Sequence, residues 1–274
     1  MYKLIAMDKQ INIQEALDWY IWAGVTETCS DEVCAFNKEN QPIIPKTTVS
    51  AMRSSSVLAA QVPASGALVL TSFAALKNAK DICAKATSLE ELRELLEKFD
   101  GCNLKNTAAS TIFGDGSNKA KIMLIGEAPG ADEDRIGRPF VGRCGKLLDK
   151  MFTAIELNRA DCYITNVLPW RPPGNRPPTD DEIAVCLPFL KRQIELIEPD
   201  FLLLLGGIAL KSVMDCADSI SRTRGKWLEY SISSQKKAYV LATYHPSYLL
   251  RSTAQKSKVW TDLLRLKKKV EEIS

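Results

Sequence analysis

Four short apolar runs, each stopping at a distinctive polar feature, set the pattern of this chain. They are 122–125 (IMLI), 162–165 (CYIT), 201–205 (FLLLL) and 239–243 (YVLAT). Continuous apolar runs of this length read as strands buried on both faces. Helical apolar spacing fills 145–155 and 179–197, the latter opening on Thr179 with Glu182 three residues on, the capping-box pattern. Strand and helix alternating in this way predict a parallel sheet covered on both faces. The expected fold is a three-layer α/β/α sandwich around a mostly parallel four-stranded sheet, with an N-terminal extension.

Right-handed crossovers place all four strand ends on one edge. The first run ends in GEAPG and a polar loop, and the second at Asn166 before the stiff loop PWRPPGNRPP. The third ends in Gly206-Gly207 and the fourth in Tyr244-His245-Pro246-Ser247. Glu127, Asn166, Gly206 and His245 are therefore expected to converge, at the edge where open α/β folds bind their ligands.

Ahead of these runs, Ser88 with Glu91 three residues on caps a helix striped by Leu89, Leu92, Leu95 and Leu96. The main domain is expected to start there and run over 88–274. Residues 1–87 form the extension. Within it 13–23 has helical spacing, and 35–67 is rich in Asn, Gln, Pro, Thr and Ser, the composition of a linker.

Composition changes this picture little. The 274 residues are 46% hydrophobic and 25% charged, ordinary for a globular protein. A net charge of +3 identifies no partner, although 251–274 carries seven Lys/Arg against Asp262, Glu271 and Glu272. Such a run is either a solvated helix face or a surface near phosphates. No apolar run is long enough to span a membrane and the N-terminus has no signal-peptide core, so a cytoplasmic protein is expected. Its eight cysteines, with no CxxC pair, are then expected as thiols.

The candidate chemistry lies at the strand ends. His245 is the only histidine, which excludes a multi-histidine metal site. In a strand-end position its imidazole suits stabilisation of a developing anion. Asn166 reads as a loop cap or as a donor–acceptor pair for the edge of a base. Phe140 reads as core or as a stacking platform for a planar ring. Glu127 and Glu133 are solvated charges or positioners of a water. Gly206-Gly207 lacks the remaining residues of a phosphate-binding loop, and no G-x-G-x-x-G is present, which lowers a generic nucleotide-binding reading.

Taken together, GEAPGADED, GRPFVG, YITNVLPWRPPGNRPP, LLLLGG, RTRGKW and HPSYLLR resemble the family-four uracil-DNA glycosylases, in order, from about Phe99 to the C-terminus. The resemblance implies hydrolysis of the bond between uracil and deoxyribose, leaving an abasic site. By position, Phe140 is implied to stack on the flipped uracil and Asn166 to pair with its N3 and O4. Main chain at Gly126 and Glu127 is implied to hold the base, with Glu133 at its C5 edge. His245 is implied to bond O2 as charge develops. Where better-known glycosylase families carry a water-positioning aspartate this chain has Ala128, so Glu127 is the candidate to order water. Tyr248, Leu249 and Leu250 are candidate wedges into the vacated stack. Arg176, Arg222, Arg224 and Arg251 are candidate phosphate contacts. The expected partner is uracil-containing DNA, or DNA with other deaminated bases, and the expected state is a monomer.

The family also implies a [4Fe–4S] cluster on four cysteines. The matching positions here are Phe99, Cys102, Trp170 and Cys186, two thiolates where about four are needed. The expectation from this departure is a chain with no iron–sulfur cluster and no other cofactor. The competing readings are a uracil-DNA binding protein that traps the abasic sugar covalently and a catalytically silent scaffold. The first lacks its histidine-containing insertion here, and Asn166, Phe140 and His245 being present argue against the second.

Overall fold

A computed structural model describes residues 65–273, of which 66–273 lie in a compact unit spanning Gly66–Ser274. The 13–23 helix expected from sequence, and the linker up to residue 64, lie outside the described residues. The unit begins well before Ser88, because helix α1 (Ser65–Cys83) contributes Ala79 and Cys83 to the same core as Ala86 and Leu92. The boundary drawn at Ser88 is therefore too late. It followed the capping signal, whereas α1 has only a weak apolar stripe. Helix α2 (Leu89–Lys98) starts where expected, with Ser88 Oγ accepting from the Glu91 N–H at 3.2 Å.

The sheet has six strands: β1 (Asp115–Gly116), β2 (Ile122–Gly126), β3 (Cys162–Asn166), β4 (Phe201–Leu205), β5 (Trp227–Ser231) and β6 (Lys237–Thr243). Their order is β1-β3-β2-β4-β6-β5, with β3, β2, β4 and β6 parallel and the two edge strands antiparallel. The four-stranded expectation names the parallel centre and misses both edges. β1 is too short to make a run, and β5 (WLEYS) is only half-buried along its length.

Alternate residues of each central strand feed opposite layers, as the strand period requires. Met123 and Ile125, Leu202 and Leu204, and Val240 and Ala242 enter one core with α1, α2, α5 (Asp180–Ile197) and α6 (Gly207–Met214). Ile122 and Leu124, Leu203 and Leu205, and Leu241 enter the other. That second core lies under α4 (Arg143–Thr153), α8 (Pro246–Arg251) and α9 (Lys256–Ile273). This double coverage explains why the strands carry no polar alternation.

Two short helices complete the α-helices among the described residues: α3 (Ala131–Ile136), inside the loop after β2, and α7 (Ile220–Thr223). The sequence ADEDRI has no apolar stripe and reads as loop. It folds as α3 because Glu133 caps Gly130 and buried Asp134 accepts from the Ala109 and Ser110 N–H groups at 2.8 and 3.1 Å. No described helix is long and apolar enough to cross a membrane.

Candidate active site

The register aligns Gly126 with Asn166, and Leu205 with Thr243, so four chain segments leave the sheet side by side. They surround a cleft of about 530 Å³ lined by Glu127, Glu133, Phe140, Asn166, His245 and Arg251, among others. Gly206 sits behind it, at φ 95°, where an added Cβ would approach His245 Cβ to 3.2 Å.

Gly126 lies beneath Asn166 and Phe140, two of the residues that line the cleft. A side chain there would run into Asn166 Oδ1 at 2.3 Å and Phe140 Cζ at 2.6 Å. Absence of a Cβ is what lets the Asn166 amide and the Phe140 ring meet over the strand end. Asn166 is 5% exposed, and its Oδ1 is buried without a hydrogen-bond partner. A buried acceptor left open costs about 1–3 kcal/mol, and this one belongs to a residue that lines the cleft. The Gly126 and Glu127 carbonyls already accept from the Val167 and Leu168 N–H groups at 3.0 and 3.1 Å.

Phe140 is held in the left-handed region at φ 52°, a strained conformation for an aromatic residue. The backbone on its C-terminal side is fixed by Glu133, whose Oε1 accepts from the Val141 and Gly142 N–H groups at 3.0 and 2.9 Å. Oε2 of the same carboxylate takes the Gly130 N–H at 3.1 Å. Glu133 thus lines the cleft with its carboxylate engaged by the main chain.

His245 lies beside this ring, the centroids 5.6 Å apart and the planes 36° from parallel. Its Nδ1 accepts from the Ser247 N–H at 3.1 Å, with Ser247 Oγ at 2.9 Å. That bond leaves the proton of the neutral ring on Nε2. Burial, with Arg251 nearby, depresses the His245 pKa to about 4, so the ring is neutral near pH 7 and Nε2–H is a neutral donor. Glu127 is shifted the other way: burial raises its pKa, and Arg251 partly offsets the rise.

The candidate DNA contacts divide. Tyr248 and Leu250 are each 37% exposed, whereas Leu249 is 1% exposed and packs in the core beneath α8. Leu249 is therefore no wedge; the short helix turns it inward. Arg251 and Arg176 line the cleft, and Arg176 also forks onto Glu182 at 2.5 and 2.9 Å. Arg222 is exposed. Arg224 is not a free phosphate contact: it pairs with fully buried Asp262 at 2.6 Å, lies over the Tyr244 ring, and donates to the Lys258 carbonyl. Sequence reading passed over Ser247, which sets the His245 tautomer, and Arg159, which holds the Phe140 loop. Ser247 is legible two residues after the histidine; no signal marks Arg159.

The cleft thus brings an aromatic ring, an amide with an unpartnered oxygen and a neutral imidazole together at the carboxyl edge of a parallel sheet. Residues 113–264 match the profile of the uracil DNA glycosylase superfamily, and the chain belongs to that family. It is 37% identical over 179 residues to a type-4 uracil-DNA glycosylase of Pyrobaculum aerophilum, covering 64% of this chain and 91% of the relative. A type-4 uracil-DNA glycosylase of Archaeoglobus fulgidus is 42% identical over 60% of this chain and 83% of its own length. One from Thermotoga maritima is 41% identical over 60% and 84%.

These relatives overturn the expectation of a cofactor-free chain. They are type-4 enzymes, the class for which the sequence resemblance implies an iron–sulfur cluster, so two substituted positions do not license its exclusion. The four matching positions come together in one buried region. Cys102 and Cys186 are thiols hydrogen-bonded to each other, and that bond together with burial pushes the Cys186 pKa well up. Phe99 packs tilted against Phe189, the ring centroids 5.1 Å apart, and Trp170 Nε1–H donates to Thr111 Oγ1 at 2.9 Å. Of these four positions, the ligating atoms present are the Cys102 and Cys186 thiols.

Proposed function

We propose that this chain excises uracil from DNA by hydrolysing the N-glycosidic bond, leaving an abasic site. The observation that carries the reading is the buried, unpartnered Oδ1 of Asn166, which meets the Phe140 ring above Gly126 in a cleft that His245 also lines. Uracil presents an N3–H donor beside an O4 acceptor, so Oδ1 accepts from N3–H while Nδ2 donates to O4. Cytosine reverses both groups and leaves the amide mismatched. Phe140 stacks on the base and fixes its plane.

As the C1′–N1 bond breaks, its electron pair stays with the base and negative charge gathers on O2. His245 Nε2–H donates to that oxygen and remains neutral throughout. A single donor of this kind is worth about 3–4 kcal/mol at the transition state. A water adds to C1′ on the opposite face, and Glu127, ionised, orients it and takes its proton. The departing uracil anion takes a proton from solvent. The duplex releases its base at a cost of a few kcal/mol of unstacking, with Tyr248 and Leu250 as wedges and Arg176, Arg222 and Arg251 on phosphates. The cleft is complete within one chain, which supports a monomer as the working form, and a cytoplasmic location fits action on DNA.

The test is release of uracil from an end-labelled oligonucleotide carrying one uracil, read as alkali-labile breaks. Wild-type protein is expected to give breaks that Asn166→Ala largely abolishes. A protein band shifted by bound DNA on a denaturing gel, without free uracil, would instead favour covalent trapping. Neither product on single strands or duplex would overturn the reading.

A further inference from the structure

Arg159 lies just before β3, outside every motif that marks the site, yet its guanidinium reaches the segment that carries the stacking ring. Nη1 donates to the Phe140 carbonyl at 2.7 Å and Nη2 to the Pro139 carbonyl at 2.5 Å. The fork is held in turn by Asp149 at 3.1 Å and by Asp115 at 3.5 Å, and Asp115 also takes Arg138 at 2.8 Å. Its side chain is 21% exposed, and Nε is buried without a partner. On the other side of the same carbonyl, Gly145 approaches so closely that a Cβ would fall 1.8 Å from the Phe140 oxygen.

These contacts converge on a residue at φ 52°. An aromatic residue stays in that region only where its surroundings over-determine it. Glu133 fixes the N–H groups after Phe140, and Arg159 fixes the carbonyls of Phe140 and Pro139. Only a planar fork donates to two adjacent carbonyls and a carboxylate at once; a lysine ammonium lacks that geometry. The edge strand β1 also acquires a purpose, since it delivers Asp115 beneath the loop.

We infer that Arg159 is a positioning residue for base excision, setting the plane of the Phe140 ring against the flipped base. This inference rests on the uracil-excision reading. Arg159 touches neither base nor DNA in it, so its removal acts on the chemical step through Phe140 and leaves duplex affinity alone.

A double-mutant cycle on the full chain tests this. Single-turnover excision rates and affinity for uracil-free duplex would be measured for wild type, Arg159→Met, Phe140→Ala and the double variant, with thermal melts alongside. The expected result is a rate loss of about 10²-fold for Arg159→Met, as for a misplacement of about 1 Å. In the Phe140→Ala background the same change is expected to cost within about twofold, with duplex affinity unchanged. A loss as large without the ring as with it, or no loss in either background, would overturn the inference. Should Arg159→Met melt below the assay temperature, Arg159→Lys carries the same cycle. Absence of uracil release by wild-type protein overturns the excision reading itself and is seen before any Arg159 variant is made.

Discussion

The Phe140 ring lies over Gly126 so closely that a Cβ on the glycine would stand 2.6 Å from its Cζ. The same Cβ would stand 2.3 Å from Asn166 Oδ1. The meeting of these two cleft-lining groups thus depends on an absent side chain. Gly126→Ala is expected to displace both base-recognising groups, cutting excision by about 10²-fold. The overpacking itself is expected to cost about 1–3 kcal/mol of stability. Rates and melts on one preparation check both, and near-normal excision would show that the ring and amide need not meet there.

His245 sets a pH signature. Its folded pKa, about 4, lies below the ordinary histidine value of about 6.5 because burial disfavours the charged ring. In the unfolded chain it takes up a proton as pH falls through about 6.5, while the folded chain holds out to about 4. Its contribution to stability is therefore full above 6.5 and is lost as pH falls through that window. The excision rate is expected to show no inflection at 6.5 from this residue, and His245→Ala to lower the rate by about 10²–10³-fold. An activity drop centred near 6.5 that vanishes in His245→Ala would contradict a neutral donor.

Glu127 supplies the opposite shift. Burial raises its pKa above the ordinary carboxylate value, and the proposed role needs the ionised form. The rate is expected to fall as pH falls through that raised pKa. Glu127→Gln is expected to slow excision and flatten the acid limb together. A limb that persists in the glutamine variant would assign the water to another group.

The central sheet was legible because β2, β3, β4 and β6 are buried on both faces and so read as unbroken apolar runs. The edge strands were not, since Asp115–Gly116 offers only two residues and Trp227–Ser231 is half wet. Helix α3 escaped for a related reason: caps and the buried Asp134 carboxylate hold it, with no apolar stripe. Asn166 and His245 stood out because strand ends are where side chains converge, and Phe140 because it follows Arg138-Pro139 in the loop after β2. Arg159 did not, because its partners are main-chain carbonyls that residue types never reveal. The expected absence of a cofactor failed by resting on two substituted positions, where likeness to type-4 relatives covers 60% or more of the chain.

Arg224 was read as a phosphate contact, and its partner decides otherwise. Asp262 is fully buried, takes both Nε and Nη2 of Arg224 at 3.0 and 2.6 Å, and accepts from Thr243 Oγ1 at 2.7 Å. Removing one member leaves the other uncompensated, so Arg224→Met is expected to cost about 3 kcal/mol of stability. Duplex affinity at a temperature where the variant is folded is expected to stay near wild type. A weakened salt dependence of DNA binding with unchanged stability would restore the phosphate contact.

Leu249 and Leu250 are neighbours in sequence and opposites in environment, 1% and 37% exposed. The α8 turn after His245 points Leu249 into the core with Leu263 and Leu266 and leaves Leu250 beside Tyr248 on the surface near the cleft. Leu249→Ala is expected to cost about 2–5 kcal/mol of stability, since it opens a cavity in a packed layer. Leu250→Ala is expected to leave the melting temperature nearly unchanged. Its effect belongs in the chemistry of paired substrates: duplex uracil must be unstacked and a single-stranded uracil need not be. The ratio of duplex to single-strand excision rates is therefore expected to fall in Leu250→Ala while the single-strand rate holds. An equal loss on both substrates would remove Leu250 as a wedge and leave Tyr248 to fill the gap.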